Sequence, residues 1–215
     1  LRRSMQARKI RASALFDAAW YRRSYRDLGP GVDAALHYLA NGAAEGRDPG
    51  PCFSTSGYRM KCAEAGESLG DENPLLHFER RRVADADGSW ALPSFAGTQT
   101  GGAAPTVLFV AHQAVEHVFG AERSLLHMLD RAGQAGLCVE AVIPQVLNSG
   151  YLDALRARSR RVHVRPFGWR FGDDAPDASA VRAIAALIQQ SGAVELHQNT
   201  AVLDAPLVAA RLMQI

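Results

Sequence analysis

Two short stretches carry the side chains best suited to chemistry. The first, His197-Gln198-Asn199-Thr200 with Asp204 beyond it, follows the apolar run Val194-Glu195-Leu196. A histidine at the carboxyl end of a parallel strand can orient or deprotonate a hydroxyl, and Asn199 and Thr200 can hydrogen-bond a polyol. The same histidine can equally cap the helix that follows. The second stretch, His112 to Ser124, follows another apolar run and contains Phe119-Gly120-Ala121-Glu122. Gly120 permits close approach of a ligand, and a helix starting near Ala121 offers N–H groups and a positive dipole end to a phosphate. Alternatively, Gly120 only closes a strand-to-helix turn.

Other chemistries lack their residues. No Gly-x-Gly-x-x-Gly is present, which disfavours nicotinamide and flavin cofactors, and no Gly-Lys-Ser/Thr element makes a P-loop. Neither a Gly-x-Ser-x-Gly elbow nor a pair of carboxylates supports a hydrolase. Cys52, Cys62 and Cys138 are odd in number and not in metal-ligand spacing, a pattern that fits a reducing compartment. Asp85-Ala86-Asp87 has the form of the Asp-x-Asp metal–nucleotide signature of one class of sugar transferases, but it sits in a polar linker rather than behind a buried strand.

The elements that must position these residues read as follows. Thr106 to Val110 is a short β-rich run bounded by Pro105, hence a buried strand. Helical spacing continues from Glu122 to Ala135 and ends at Gly136; Cys138 to Ile143 is a second strand and Tyr151 to Arg160 a second helix. Val162 to Val164, Asp177 to Gln190, Val194 to His197 and Ala205 to Met213 complete four β-α units. Such alternation predicts an α/β, Rossmann-like parallel sheet with helices on both faces, over residues 106–215. A receiver-like regulatory domain would want acidic residues after the first strand, where this chain has His112 and Gln113.

The amino-terminal part follows a different rule. Residues 1–15 form a basic leader, and residues 16–83 contain an internal repeat with copies at 16–52 and 53–83. Phe16 and Tyr21 align with Phe53 and Tyr58, while His37 aligns with His77 after a three-residue insertion. Asp17 and Ser54 are candidate caps, so the repeat predicts a small all-α module of two stacked helical hairpins. Each histidine follows Leu and precedes an aromatic, which predicts a half-buried ring bonded to a backbone group of the neighbouring hairpin. Residues 84–105, rich in Gly, Ala, Ser, Thr and Asp, read as a linker.

At these motifs a resemblance emerges. Val107 to Val110 with Phe119-Gly120-Ala121-Glu122-Arg123-Ser124-Leu125 resembles the first strand and Gly-Gly-Ala-Glu loop of family 4-like glycosyltransferases. Val194 to Thr200 resembles their strand-then-His/Asn loop, and the aromatic–His repeat is similar to segments preceding the transferase domain in some polysaccharide (rhamnan-type) enzymes. The resemblance implies the amino-terminal half of a GT-B fold in a retaining, metal-independent hexosyltransferase of bacterial surface-polysaccharide synthesis. By that likeness Gly120, Ala121 and Glu122 approach the donor diphosphate, and His197 is catalytic beside the acceptor hydroxyl. His112, Asn199 and Thr200 line the acceptor side. The nucleotide-sugar is then substrate, no cofactor or metal is expected, and the acceptor is a glycan or lipid-linked glycan. Phe119 stands where that family has its first Gly, and the second half with its Glu-x7-Glu element lies outside the chain, so this stretch alone is expected to transfer no sugar. The alternative is a non-catalytic α/β binding or scaffold module of an envelope-polysaccharide complex.

Composition sets the frame. The 215 residues are 47% hydrophobic and 21% charged, as in globular proteins, with 24 basic against 22 acidic groups and a net charge of +2. That balance is too weak for sequence-independent nucleic-acid binding. No apolar run spans a bilayer, and the expected location is cytoplasmic, with a weak electrostatic contact available between the basic leader and the inner membrane face.

Overall fold

The computed structural model describes residues 2–85, 88–100, 104–112, 117–169 and 175–215, with the backbone alone for 83–85. Ala86 and Asp87 of the Asp-x-Asp segment and residues 113–116 of the first loop lie outside the described residues. The chain divides into two compact units, Leu1–Pro93 and Ser94–Ile215.

The first unit is built of helices α1 (Arg2–Ala12), α2 (Ala18–Ser24), α3 (Ala34–His37), α4 (Thr55–Glu64) and α5 (Pro74–Asp85), and a polar cap precedes each of α2 to α5. Asp17 Oδ1 accepts from the Trp20 N–H at 2.8 Å, and Ser54 Oγ accepts from Gly57 at 3.2 Å. The second helix of each hairpin has its own cap: Asp33 bonds the N–H groups of Ala35 and Leu36, and Asn73 those of Leu75 and Leu76. Such caps each contribute about 1 kcal/mol. Tyr21, Tyr38, Phe53, Tyr58, Leu75 and Phe78 are fully buried in one core.

Three expectations change here. The basic leader is helical, and its Ile10 is fully buried in that core, because its basic residues face solvent while Ala7 and Ile10 face inward. The histidine rings bond tyrosine hydroxyls of their own copies rather than neighbouring backbone: Tyr21 Oη lies 3.0 Å from His37 Nδ1, and Tyr58 Oη 2.7 Å from His77 Nδ1. The presumed linker is partly structured, with a single 3-10 turn at Ser89–Ala91 whose Ala91 carbonyl accepts from the Ser54 N–H at 2.8 Å.

The second unit is an α/β fold on a mixed five-stranded sheet. Its strands are β1 (Ser94–Ala96), β2 (Thr106–Val110), β3 (Cys138–Ile143), β4 (Arg161–Val164) and β5 (Ala193–Gln198), in the order β1-β4-β3-β2-β5. β2 to β5 pair in parallel, whereas β1 runs antiparallel to β4 at the edge. The all-parallel expectation is therefore corrected by a strand drawn from the linker. Leu108, Val110 and Val142 meet α8 (Ala178–Ser191) and α9 (Asp204–Met213). The alternate residues of β2 and β3 are equally buried, facing α6 (Gly120–Gln134) and α7 (Ser149–Arg156). Asp177 caps α8 at its start, and Gly192 closes it in the left-handed conformation (φ 64°). No described helix is long and apolar enough to cross a membrane.

Candidate functional site

β2 lies between β3 and β5, so the loop leaving β2 and the loop leaving β5 diverge to opposite faces of the sheet. A crevice opens at such a reversal, outside the carboxyl ends of the strands. His112 enters it from β2. Ala111 extends the ladder by donating to the Val142 carbonyl at 2.9 Å, which fixes the backbone that carries the histidine. The His112 side chain is 6% exposed and stacks on Trp169, with ring centroids 5.3 Å apart. Its Nε2 has no hydrogen-bond partner among the described residues.

The β5 loop is tied to the first turn of α6. Asn199 Nδ2 donates to the Ala121 carbonyl at 2.6 Å, while its Oδ1 stays buried without a partner. Gln198 Nε2 donates to the carbonyls of Thr200 and, at 2.7 Å, Leu203, leaving Gln198 Oε1 in the same unpartnered state. Thr200 thus shapes the loop through its main chain.

At α6 the two readings of Gly120 separate. It has no left-handed φ, and a Cβ placed on it would meet nothing within 4 Å. Turn closure does not demand glycine there, and the space before it is open. Glu122 is 8% exposed, and its Oε2 accepts from the Phe119 N–H at 3.0 Å. Its carboxylate thereby occupies part of the positive helix end that was expected to meet a donor phosphate.

His197 is placed differently from His112. It lies within β5 rather than beyond it, opposite Phe109, and stacks on that ring at 5.1 Å. Its Nε2 sits 2.8 Å from Glu195 Oε1, and both side chains are about half exposed. Of the two histidines at the carboxyl ends, the buried ring with an open nitrogen is His112.

Tyr151, Gln198 and Trp169 were missed as site residues in the sequence. Tyr151 is 2% exposed in the first turn of α7, and its hydroxyl has no partner among the described residues. Burial pushes its phenol well above the ordinary range, and the Glu122 carboxylate adds to that push. An aromatic in the first turn after Asn148 was its only signal, because nothing else separates a tyrosine that packs from one whose hydroxyl faces a ligand. No group of His, Cys, Asp and Glu among the described residues is arranged to hold a metal ion.

Comparison of the chain with protein-family models, with curated proteins and with solved structures finds no match to any of them.

Proposed function

We propose that the second unit is the Rossmann-like, acceptor-side half of a retaining, nucleotide-sugar-dependent glycosyltransferase of the GT-B type, acting in bacterial surface-polysaccharide synthesis. The observation that carries this reading is the set of buried, unpartnered polar atoms on segments at the carboxyl ends of the strands: His112 Nε2, Tyr151 Oη, Gln198 Oε1 and Asn199 Oδ1. Leaving such groups unsatisfied costs about 1–3 kcal/mol each, so their partners belong to a ligand or to ordered water. The two amide oxygens accept only, so the complementary ligand must donate several O–H groups. A sugar ring does so, and the half-exposed indole of Trp169 suits its C–H face.

In this reading Asn199 and Gln198 hold acceptor hydroxyls and His112 orients the reacting one. The donor's nucleotide is held by a second α/β half. The pairing of His197 with Glu195 favours a second reading, a glycan-binding module without transfer, because the expected proton-handling ring is already engaged.

Calorimetric titration of the 215-residue chain with hexoses, oligosaccharides and nucleotide-hexoses tests both. Saturable binding of a sugar or nucleotide-sugar, weakened about tenfold by His112→Ala or Asn199→Ala, is expected; one lost hydrogen bond of about 1.4 kcal/mol gives that factor. Absence of binding to any of them by the folded chain would overturn the proposal. Oligosaccharide binding that Asn199→Ala weakens but His112→Ala leaves unchanged would favour the second reading, in which no ring has to orient a reacting hydroxyl.

A further inference from the structure

A second constellation lies away from the crevice, on the α8 side of the sheet at its β1 edge. Ser94 opens β1 and sits opposite His163 of β4. Ser94 Oγ is 2.7 Å from His163 Nδ1, and His163 Nε2 is 2.9 Å from Glu140 Oε2 on β3. Arg160 clamps the other carboxylate oxygen, Oε1, at 2.9 Å through Nε and 2.6 Å through Nη2.

The tautomer follows from this chain of contacts. Glu140 is 2% exposed and, held by Arg160, is a carboxylate that only accepts. His163 Nε2 must then carry the proton that Glu140 Oε2 accepts. Nδ1 is left as a lone pair facing the serine hydroxyl, which donates to it. A carboxylate that fixes the ring so that its basic nitrogen meets a hydroxyl is the arrangement that activates a serine nucleophile.

The surroundings add what a merely structural network does not need. Ser94, His163 and Glu140 line one pocket of about 240 Å³ together with Arg161, Arg165 and Gln190. The hydroxyl therefore reaches a cavity instead of packed side chains. Arg161 and Arg165 add positive charge to the lining of that pocket.

We propose that Ser94, His163 and Glu140 form a hydrolytic triad for esters of short acids in which the acid or alcohol part is anionic. Ser94 Oγ attacks the ester carbonyl carbon while its proton passes to His163 Nδ1. The carbon–oxygen bond to the alcohol then breaks, and that proton leaves with the alcohol, giving an acyl-serine. Water attacks the acyl-serine with His163 again taking a proton and returning it to Ser94, releasing the acid. Glu140 stabilises the imidazolium in each half, and no reactant other than water is required. The pocket's small volume and its polar lining exclude long acyl chains.

The test is treatment of the folded 215-residue chain with diisopropyl fluorophosphate, followed by intact mass and peptide mapping, with the mono-4-nitrophenyl ester of succinate, whose acid part is anionic, as turnover substrate. One adduct is expected, on Ser94, absent in Ser94→Ala and slowed about 100-fold or more in His163→Gln, with ester hydrolysis falling in parallel. The wild-type result stands without either variant: a folded chain that gives no adduct on Ser94 overturns the triad. So does a folded His163→Gln chain that labels at the wild-type rate.

Discussion

A tyrosine hydroxyl set against a histidine nitrogen recurs in both copies of the helical repeat, but the two pairs differ in burial. His77 is 7% exposed, whereas His37 is only partly covered. Removing the Tyr58 hydroxyl strands a buried ring nitrogen, while water can replace the one lost from Tyr21. Tyr58→Phe is therefore expected to cost about 1–3 kcal/mol and Tyr21→Phe about 0.5–1.5 kcal/mol, read by urea denaturation. The buried Glu140–His163 pair sets a pH dependence. Burial pushes the Glu140 carboxyl up, but hydrogen bonds and charge from His163 and Arg160 outweigh it and hold the group below its ordinary 4.5. Burial likewise holds His163 below 6.5, against the pull of Glu140. Both groups bind protons more readily when unfolded, so each stabilises above its ordinary value and loses that contribution as pH falls. Denaturation midpoints should be level between about pH 7 and 8, decline once pH drops below 6.5, and decline further below 4.5. A flat profile from pH 7 to 4 would contradict the assignment. At this scale the sequence distinguished poorly between the two candidate histidines: His112 and His197 each adjoin an apolar run, and only strand register and the neighbouring Glu195 show which ring is engaged.

At the scale of elements, periodicity located the buried parallel strands well because β2 and β3 are covered on both faces and must be continuously apolar. β1 escaped because an edge strand of three residues needs only one apolar anchor, Phe95, and its neighbours Ser94 and Ala96 resemble the surrounding linker. α7 stops at Arg156 rather than Arg160 because the chain must turn back toward β4, where the Arg160 N–H donates to the Val139 carbonyl at 2.7 Å. Gly97 marks how closely β1's exit passes that turn: a Cβ there would lie 1.9 Å from the Ser159 carbonyl oxygen and 2.7 Å from that of Arg156. Both obstacles are backbone, so the strand must move. Gly97→Ala is expected to destabilise by about 1–3 kcal/mol and to loosen β1 from β4, read as faster amide exchange at Phe95 and Gly97. Because β1 carries Ser94, the same substitution should also slow labelling of that residue by diisopropyl fluorophosphate. Unchanged exchange at Phe95 would show that the edge absorbs a methyl group without moving.

Over the whole molecule, composition set a linker at residues 84–105 without saying where in it one unit ends, because Gly, Ser and Asp there look alike whether they connect units or finish one. The border falls between Pro93 and Ser94, and the reason lies in the turn before it. Trp90 lies under the Arg81 guanidinium, 3.7 Å from the ring centroid, and near Tyr58, while Ala91 is buried and bonds the capped end of α4. A piece spanning residues 1–93 retains this cover, whereas one spanning 1–83 exposes Tyr58, Phe53 and the Ser54 N–H that Ala91 had satisfied. Both pieces keep the caps and the two Tyr–His pairs, so both should be helical. The shorter should be less stable by about 1–3 kcal/mol, from lost aromatic burial and one unpaired buried N–H. At about 4–8 °C per kcal/mol for a domain of this size, its thermal midpoint by circular dichroism should lie at least about 4 °C below that of 1–93. Equal midpoints would mean that residues 84–93 only connect. A lower one places the stabilising edge of the helical unit in a segment whose composition reads as linker, and sets 94–215 as the piece in which to assay the crevice and the Ser94 pocket separately.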